Sequence, residues 1–221
     1  MGDRRTIVCE GRDDLAALRA MLRKRAAEPV KGESTAERLR VKFTLRELMI
    51  EVVIAQGKAE IPTRVRDALE GTVGERPTRI GICFDPDLDP PDGEHRFLGS
   101  IPPPGGADVP ILPAGWRPAD PVVFSSADPA EHCLERVLIG GILGSPAASR
   151  FADWVGASLS SLLELVPGHG WKRAFRIWGA ALAPNVESLV DRLMQDSGTK
   201  EACLAALERT PVARMLDEIL A

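Results

Sequence analysis

Arg79-Ile80-Gly81-Ile82-Cys83-Phe84-Asp85-Pro86-Asp87-Leu88-Asp89-Pro90-Pro91-Asp92-Gly93 (residues 79–93) is the stretch on which the reading of this chain turns. Ile80 to Phe84 is an apolar run of strand length, and it stops abruptly at Asp85, Asp87 and Asp89, with Asp92 just beyond. A short apolar run bounded by turn residues fits a buried strand. Acids at the carboxyl end of such a strand reach the crevice where open α/β sheets bind ligands. Like charges packed together repel, so a stable cluster calls for a counter-ion. Oxygen-only donors suit Mg2+, Mn2+ or Ca2+ rather than zinc.

A second stretch has the same design. Thr6-Ile7-Val8-Cys9-Glu10-Gly11-Arg12-Asp13-Asp14-Leu15 reads as an apolar strand ending in an acid, then a glycine turn and a helix start. Asp13 and Asp14 suit the positive end of that helix. Leu15, Leu18, Met21 and Leu22 share one helical face, and Arg19, Arg23, Lys24 and Arg25 charge the rest. Residues 28–37 read as a polar loop. Leu48 to Ala55 is nearly continuous and β-branched, which fits a central parallel strand, with a helix over Leu45 to Glu51 as the competing reading. Ile61-Pro62 opens a helix to about Leu69, since proline is allowed in the first turn.

Beyond the acidic strand, Phe97 to Ile101 and Val122 to Phe124 read as short strands. Residues 102–121 hold seven of the eighteen prolines, which predicts neither helix nor good strand but a lid beside the site or a linker. From Pro129 the pattern is helical over 130–143, 147–166, 171–183, 185–196, 199–209 and 211–220. The order predicts an α/β fold with a parallel-sheet core over 1–127 and a helical C-terminal extension over 128–221.

The net charge of −4 does not advertise nucleic-acid binding, but it is uneven. Residues 1–50 carry 12 bases against 8 acids, and the rest 16 against 24. A basic face near the N-terminal acids would hold phosphate, and a solvated helix face is the plainer alternative. Cys9, Cys83, Cys133 and Cys203 form no C-x-x-C pair, which argues against a zinc knuckle. His95, His132 and His169 lack ligand spacing. Neither a signal peptide nor a membrane-length apolar run is read, so the cytoplasm is the expected compartment. The opening Met1-Gly2 to Thr6 fits the loose myristoylation pattern, yet Thr6 opens a core strand.

With both motifs in hand, the chain resembles the Toprim family, the magnesium-binding domain of topoisomerases, primases, recombination proteins and some nucleases. The strand-Glu-Gly element is Ile7 to Gly11 and the strand-Asp-x-Asp element is Asp85-Pro86-Asp87, extended by Asp89. Glu10 to Leu15 also resembles the opening motif of OLD-type nucleases. The resemblance spans about residues 5–95. It implies Mg2+ or Mn2+ held by Asp85, Asp87 and Asp89, with Glu10 as a ligand or the general acid/base and Asp14 serving a second metal. It implies phosphodiester hydrolysis on nucleic acid. Arg19, Arg23 and Arg25 of the basic first helix are the expected phosphate contacts if that helix meets nucleic acid. The chain contains no tyrosine, so the topoisomerase nucleophile is absent, and no P-loop motif occurs.

Two rival readings come from other classes. One is a non-catalytic module that binds nucleic acid or a protein partner through a vestigial site. The other is a small-molecule phosphohydrolase. An EF-hand is excluded because its sixth and twelfth places, counted from Asp85, are Pro90 and Arg96. Trp171, Lys172, Arg173 and Arg176 form a basic helix start that fits either a phosphate contact or a packed anchor.

Overall fold

Alternating exposure to two apolar layers shapes the β-sheet of this protein. The computed structural model describes residues 3–30, 39–71, 76–86, 91–101, 109–119, 132–144, 161, 172, 175–176, 188–195 and 197–221. Its strands are Arg4–Cys9 (β1), Glu28–Pro29 (β2), Arg40–Leu45 (β3), Leu48–Ile54 (β4), Arg79–Phe84 (β5) and Ile111–Gly115 (β6). They form one six-stranded sheet in the order β2-β3-β4-β1-β5-β6. The helices are Arg12–Lys24 (α1), Ile61–Leu69 (α2), Pro91–Ser100 (α3), Leu134–Leu143 (α4), Leu189–Leu193 (α5), Ser197–Leu207 (α6) and Pro211–Leu220 (α7), with a 3-10 turn at Lys58–Glu60.

The two motif strands are neighbours. β1 pairs in parallel with β4 on one side and β5 on the other, with Cys9 opposite both Ile54 and Cys83. Side chains alternate across the sheet. On one face Val8, Val53, Ile80 and Ile82 pack with Ile61 and Val65 of α2. On the other face Gly81 admits α7, since a Cβ there would lie 3.0 Å from Met215 Sδ and 3.3 Å from Ile219 Cγ1. Buried Arg5, in register on that face, donates its Nε–H to the Ile219 carbonyl at 2.9 Å. The predicted apolar face of α1 (Leu15, Leu18, Met21 and Leu22) is wholly buried.

The sheet is mixed, which corrects the expected parallel core. β3 runs antiparallel to β4, and Leu45 pairs with Leu48 across a two-residue turn, Arg46-Glu47. Arg46 holds φ 54, the left-handed conformation that such hairpin turns require. No Asn-Gly or Asp-Gly marks this turn, so the sequence carries no hairpin signal there. The expected strand over Phe97 to Ile101 is largely helix: Phe97 and Leu98 of α3, with Ile101 just after it, pack on the Val8 cluster at helical spacing. The proline-rich stretch yields β6, where Pro113 is tolerated because β6 is the last strand of the sheet. The strand expected at Val122 to Phe124 and most of the helices expected over 147–166 and 171–183 lie outside the described residues.

By contacts the chain divides into two compact units, Met1–Phe84 with Asp89–Ala114 and Val212–Ala221, and Asp85–Leu88 with Gly115–Pro211. The anticipated cut at 127/128 is contiguous, whereas these units are not. Residues of α7 belong with the sheet because they cover the Gly81 face. Within the second unit α4 and α6 pack closely at Gly141, where a Cβ would meet Ala206 Cβ at 2.7 Å and the Ala202 carbonyl oxygen at 2.8 Å.

Candidate functional site

The acids of interest follow strand ends, and local geometry explains each position. β1 stops after Cys9, whose carbonyl accepts the Ala55 N–H at 2.8 Å. The Glu10 carbonyl then accepts the Gly57 N–H at 3.0 Å, which joins the end of β1 to the turn after β4. Gln56 at φ 68 and Gly57 at φ 129, ψ 156 make that turn. The Gly57 conformation is in practice reserved for glycine, and nothing lies within 4 Å of a Cβ built there. Gly57→Ala is therefore expected to cost about 1–3 kcal/mol through backbone strain alone. Urea unfolding of the variant checks this.

Asp14 does a structural task. One carboxylate oxygen accepts the Gly11 N–H at 2.9 Å, half of a capping box that closes the first turn of α1. It is buried, and Glu10 is half-buried. Cys9 is fully buried. Burial foremost, then the carboxylates of Asp14 and Glu10, push its thiol well above its ordinary range. A thiol held neutral in this way is no nucleophile.

Asp85 is the first residue past β5 and is buried. Its Oδ1 accepts the Leu134 N–H at 2.9 Å. Leu134 opens α4, whose own N-cap residue, Cys133, makes no side-chain cap, so Asp85 supplies one from a distant part of the chain. Its Oδ2 lies 2.8 Å from Lys172 Nζ. The counter-ion that the acidic stretch called for is thus, at Asp85, a lysine. Asp87 and Asp89 lie outside the described residues.

Of the three arginines expected to meet phosphate, Arg23 is exposed and Arg19 half-buried on α1. Arg25 is committed elsewhere: its Nε pairs with Asp217 of α7 at 2.8 Å, and its Nη1 donates to the Met21 carbonyl at 3.3 Å. It ties α1 to the C-terminal helix.

Sequence reasoning passed over Lys58. Its ammonium lies over the rings of Phe84, at 5.8 Å, and Phe97, at 5.4 Å, two rings that themselves sit 4.9 Å apart at a tilt. Phe84 ends β5, and Lys58 follows β4, so a cation stands at the same sheet end as Glu10. The rule that singled out Glu10 and Asp85, chemistry at the carboxyl ends of strands, finds Lys58 as well when applied to β4.

These donors have the oxygen chemistry that Mg2+ accepts, but they fit it only in part. Among the described residues no three His, Cys, Asp or Glu side chains gather into a metal shell. Both oxygens of Asp85 and one of Asp14 already have partners. Among the described residues no helix is long and apolar enough to cross a membrane.

No protein-family profile matches the chain, and no curated protein matches it in sequence. The fold is similar to that in the crystal structure of hypothetical protein PH0156 from Pyrococcus horikoshii OT3, at 16% identity and a TM-score of 0.63, over 99% of this chain and 100% of that one.

Proposed function

We propose that this chain is a Toprim-like domain that acts on phosphodiester bonds of nucleic acid with Mg2+ or Mn2+. The observation that carries the reading is the strand pairing: β1 and β5 are parallel neighbours in register, and each is followed by an acid, Glu10 and Asp85. A bound divalent cation would polarise the phosphoryl oxygen and acidify its water. In this reading Glu10 moves the proton, and Asp85, Asp87 and Asp89 are the metal-binding acids. Lys58 adds a fixed positive charge beside the phosphate.

The test uses a plasmid and a single-stranded RNA as substrates. Cleavage is expected to require Mg2+ or Mn2+, to cease with EDTA, and to fall by at least about 100-fold in Glu10→Gln, the scale of a lost general acid/base. Cleavage indifferent to that substitution refutes the reading.

The Lys172 ammonium on Asp85 favours a second reading, a non-catalytic binding module in which lysine replaces the metal. Under it the wild type turns nothing over and its melting temperature ignores Mg2+. Lys172→Met then gains a Mg2+-dependent rise, because the ion binds only the folded state.

A further inference from the structure

Gly115, the last residue of β6, is buried, and so is Pro86, which stands between Asp85 and Asp87 in the chain. A Cβ built on Gly115 would lie 2.6 Å from Pro86 Cγ and 3.2 Å from its Cδ. Carbon atoms in contact stand about 3.5–4.0 Å apart, so the first of these is a clash. The backbone at Gly115 does not itself demand glycine: among the described glycines only Gly57 has a positive φ. A glycine is needed at 115 because Pro86 is so close.

A clash with the tip of a flexible side chain relaxes by rotation. Proline has no such freedom, because its ring closes on its own nitrogen and fixes φ near about −65°. Pro86 Cγ therefore moves appreciably only together with the backbone that joins Asp85 to Asp87. On the other side of the contact, Gly115 is followed by the fully buried Trp116, which has no room to yield. Asp85 itself is already held twice. Its Oδ1 accepts the Leu134 N–H at 2.9 Å, and its Oδ2 lies 2.8 Å from Lys172 Nζ. Those bonds fix the carboxylate, and the Gly115 contact fixes the backbone immediately after it.

We infer that Gly115 is a positioning residue for the metal-binding acids. By lacking a side chain it lets the Pro86 ring seat against it, and the seated ring sets the course of the chain from Asp85 into Asp87. The inference rests on the Mg2+ reading given above, but it concerns a residue with no side chain to ligate or carry charge. With an alanine at 115, the ring would have to move about 0.8 Å to reach ordinary contact at 3.4 Å. Ligand sets tolerate only about 0.5 Å of displacement. Loss of a contact that orients a ligand typically costs about 10–100-fold in metal affinity.

Isothermal titration of Mn2+ into the full chain tests this with four proteins: the wild type, Gly115→Ala, Pro86→Ala and the double variant. Gly115→Ala, with native circular dichroism, is expected to bind Mn2+ at least about 10-fold more weakly than the wild type. Pro86→Ala removes both of the colliding ring atoms. The double variant is therefore expected to regain the affinity of Pro86→Ala alone, a rescue that general destabilisation does not produce in folded protein. No saturable heat from the wild type refutes the metal reading itself, and the inference with it. Saturable heat from the wild type and equal affinity in Gly115→Ala overturn the inference alone. If Gly115→Ala does not fold, the double variant decides. Affinity equal to that of Pro86→Ala supports the inference, and a double variant that is unfolded or binds at least about 10-fold more weakly overturns it.

Discussion

Asp85→Ala is expected to lower the unfolding free energy by about 2–4 kcal/mol in the absence of any metal. Two losses combine. The Leu134 N–H loses the acceptor that caps α4, which costs about 1 kcal/mol. Lys172 loses the carboxylate 2.8 Å from its ammonium. Breaking a fully buried pair costs about 3–5 kcal/mol, but the lysine side chain is 24% exposed, so solvent recovers part of that. Asp85→Asn keeps an oxygen for Leu134 and gives up only the charge, so a loss of about 1–2 kcal/mol is expected. Chemical denaturation of both variants, with Lys172→Met to complete a double-mutant cycle, measures the coupling. An Asp85→Asn protein as stable as the parent would show instead that repulsion among the acids of 85–92 dominates, as an acidic cluster awaiting a metal requires.

Gly141→Val is expected to destabilise the protein by about 3 kcal/mol, the upper part of the overpacking range. Even an alanine Cβ would stand 2.8 Å from the Ala202 carbonyl oxygen, a backbone atom of α6 that cannot swing away. The usual rule therefore reverses. Glycine to alanine within a helix ordinarily gains up to about 1 kcal/mol, whereas Gly141→Ala should lose about 1–2. Gly99 provides the internal control. It lies in α3, is exposed, and has nothing within 4 Å of a built Cβ. Gly99→Ala should gain about 0.5 kcal/mol. Thermal melts of the three variants decide the matter, and equal effects at both glycines would refute the close approach of α4 and α6.

What was legible in the sequence was whatever local pattern controls. The apolar runs of β1, β4 and β5 and the buried stripe of α1 are periodic, and each has a clear terminator. Because both motif strands end in acids, β1 and β5 are expected side by side and parallel, and they are. The antiparallel β3 stayed hidden because Arg46 adopts φ 54 without the asparagine or glycine that usually announces it. The site was half legible for a related reason. Acid after strand is a local signal and pointed to Glu10 and Asp85. The lysine that neutralises Asp85 lies 87 positions later, and nothing near position 172 distinguishes it from its basic neighbours. Arg25 is a similar case: its partner, Asp217, lies 192 positions away, and nothing near either residue announces the pair.

The docking of α7 against Gly81 and Arg5 has a consequence for the order of events during synthesis. The strands it covers lie in the first 84 residues, and the helix begins at Pro211, roughly 130 residues later. At the pace of translation this is an interval of about 6–25 s. Throughout it, one face of the nascent sheet lacks the Met215 and Ile219 side chains that close it. Contacts of such long sequence separation slow folding and leave apolar surface open to aggregation in the meantime. The chain is accordingly one whose earliest strands wait on its latest helix.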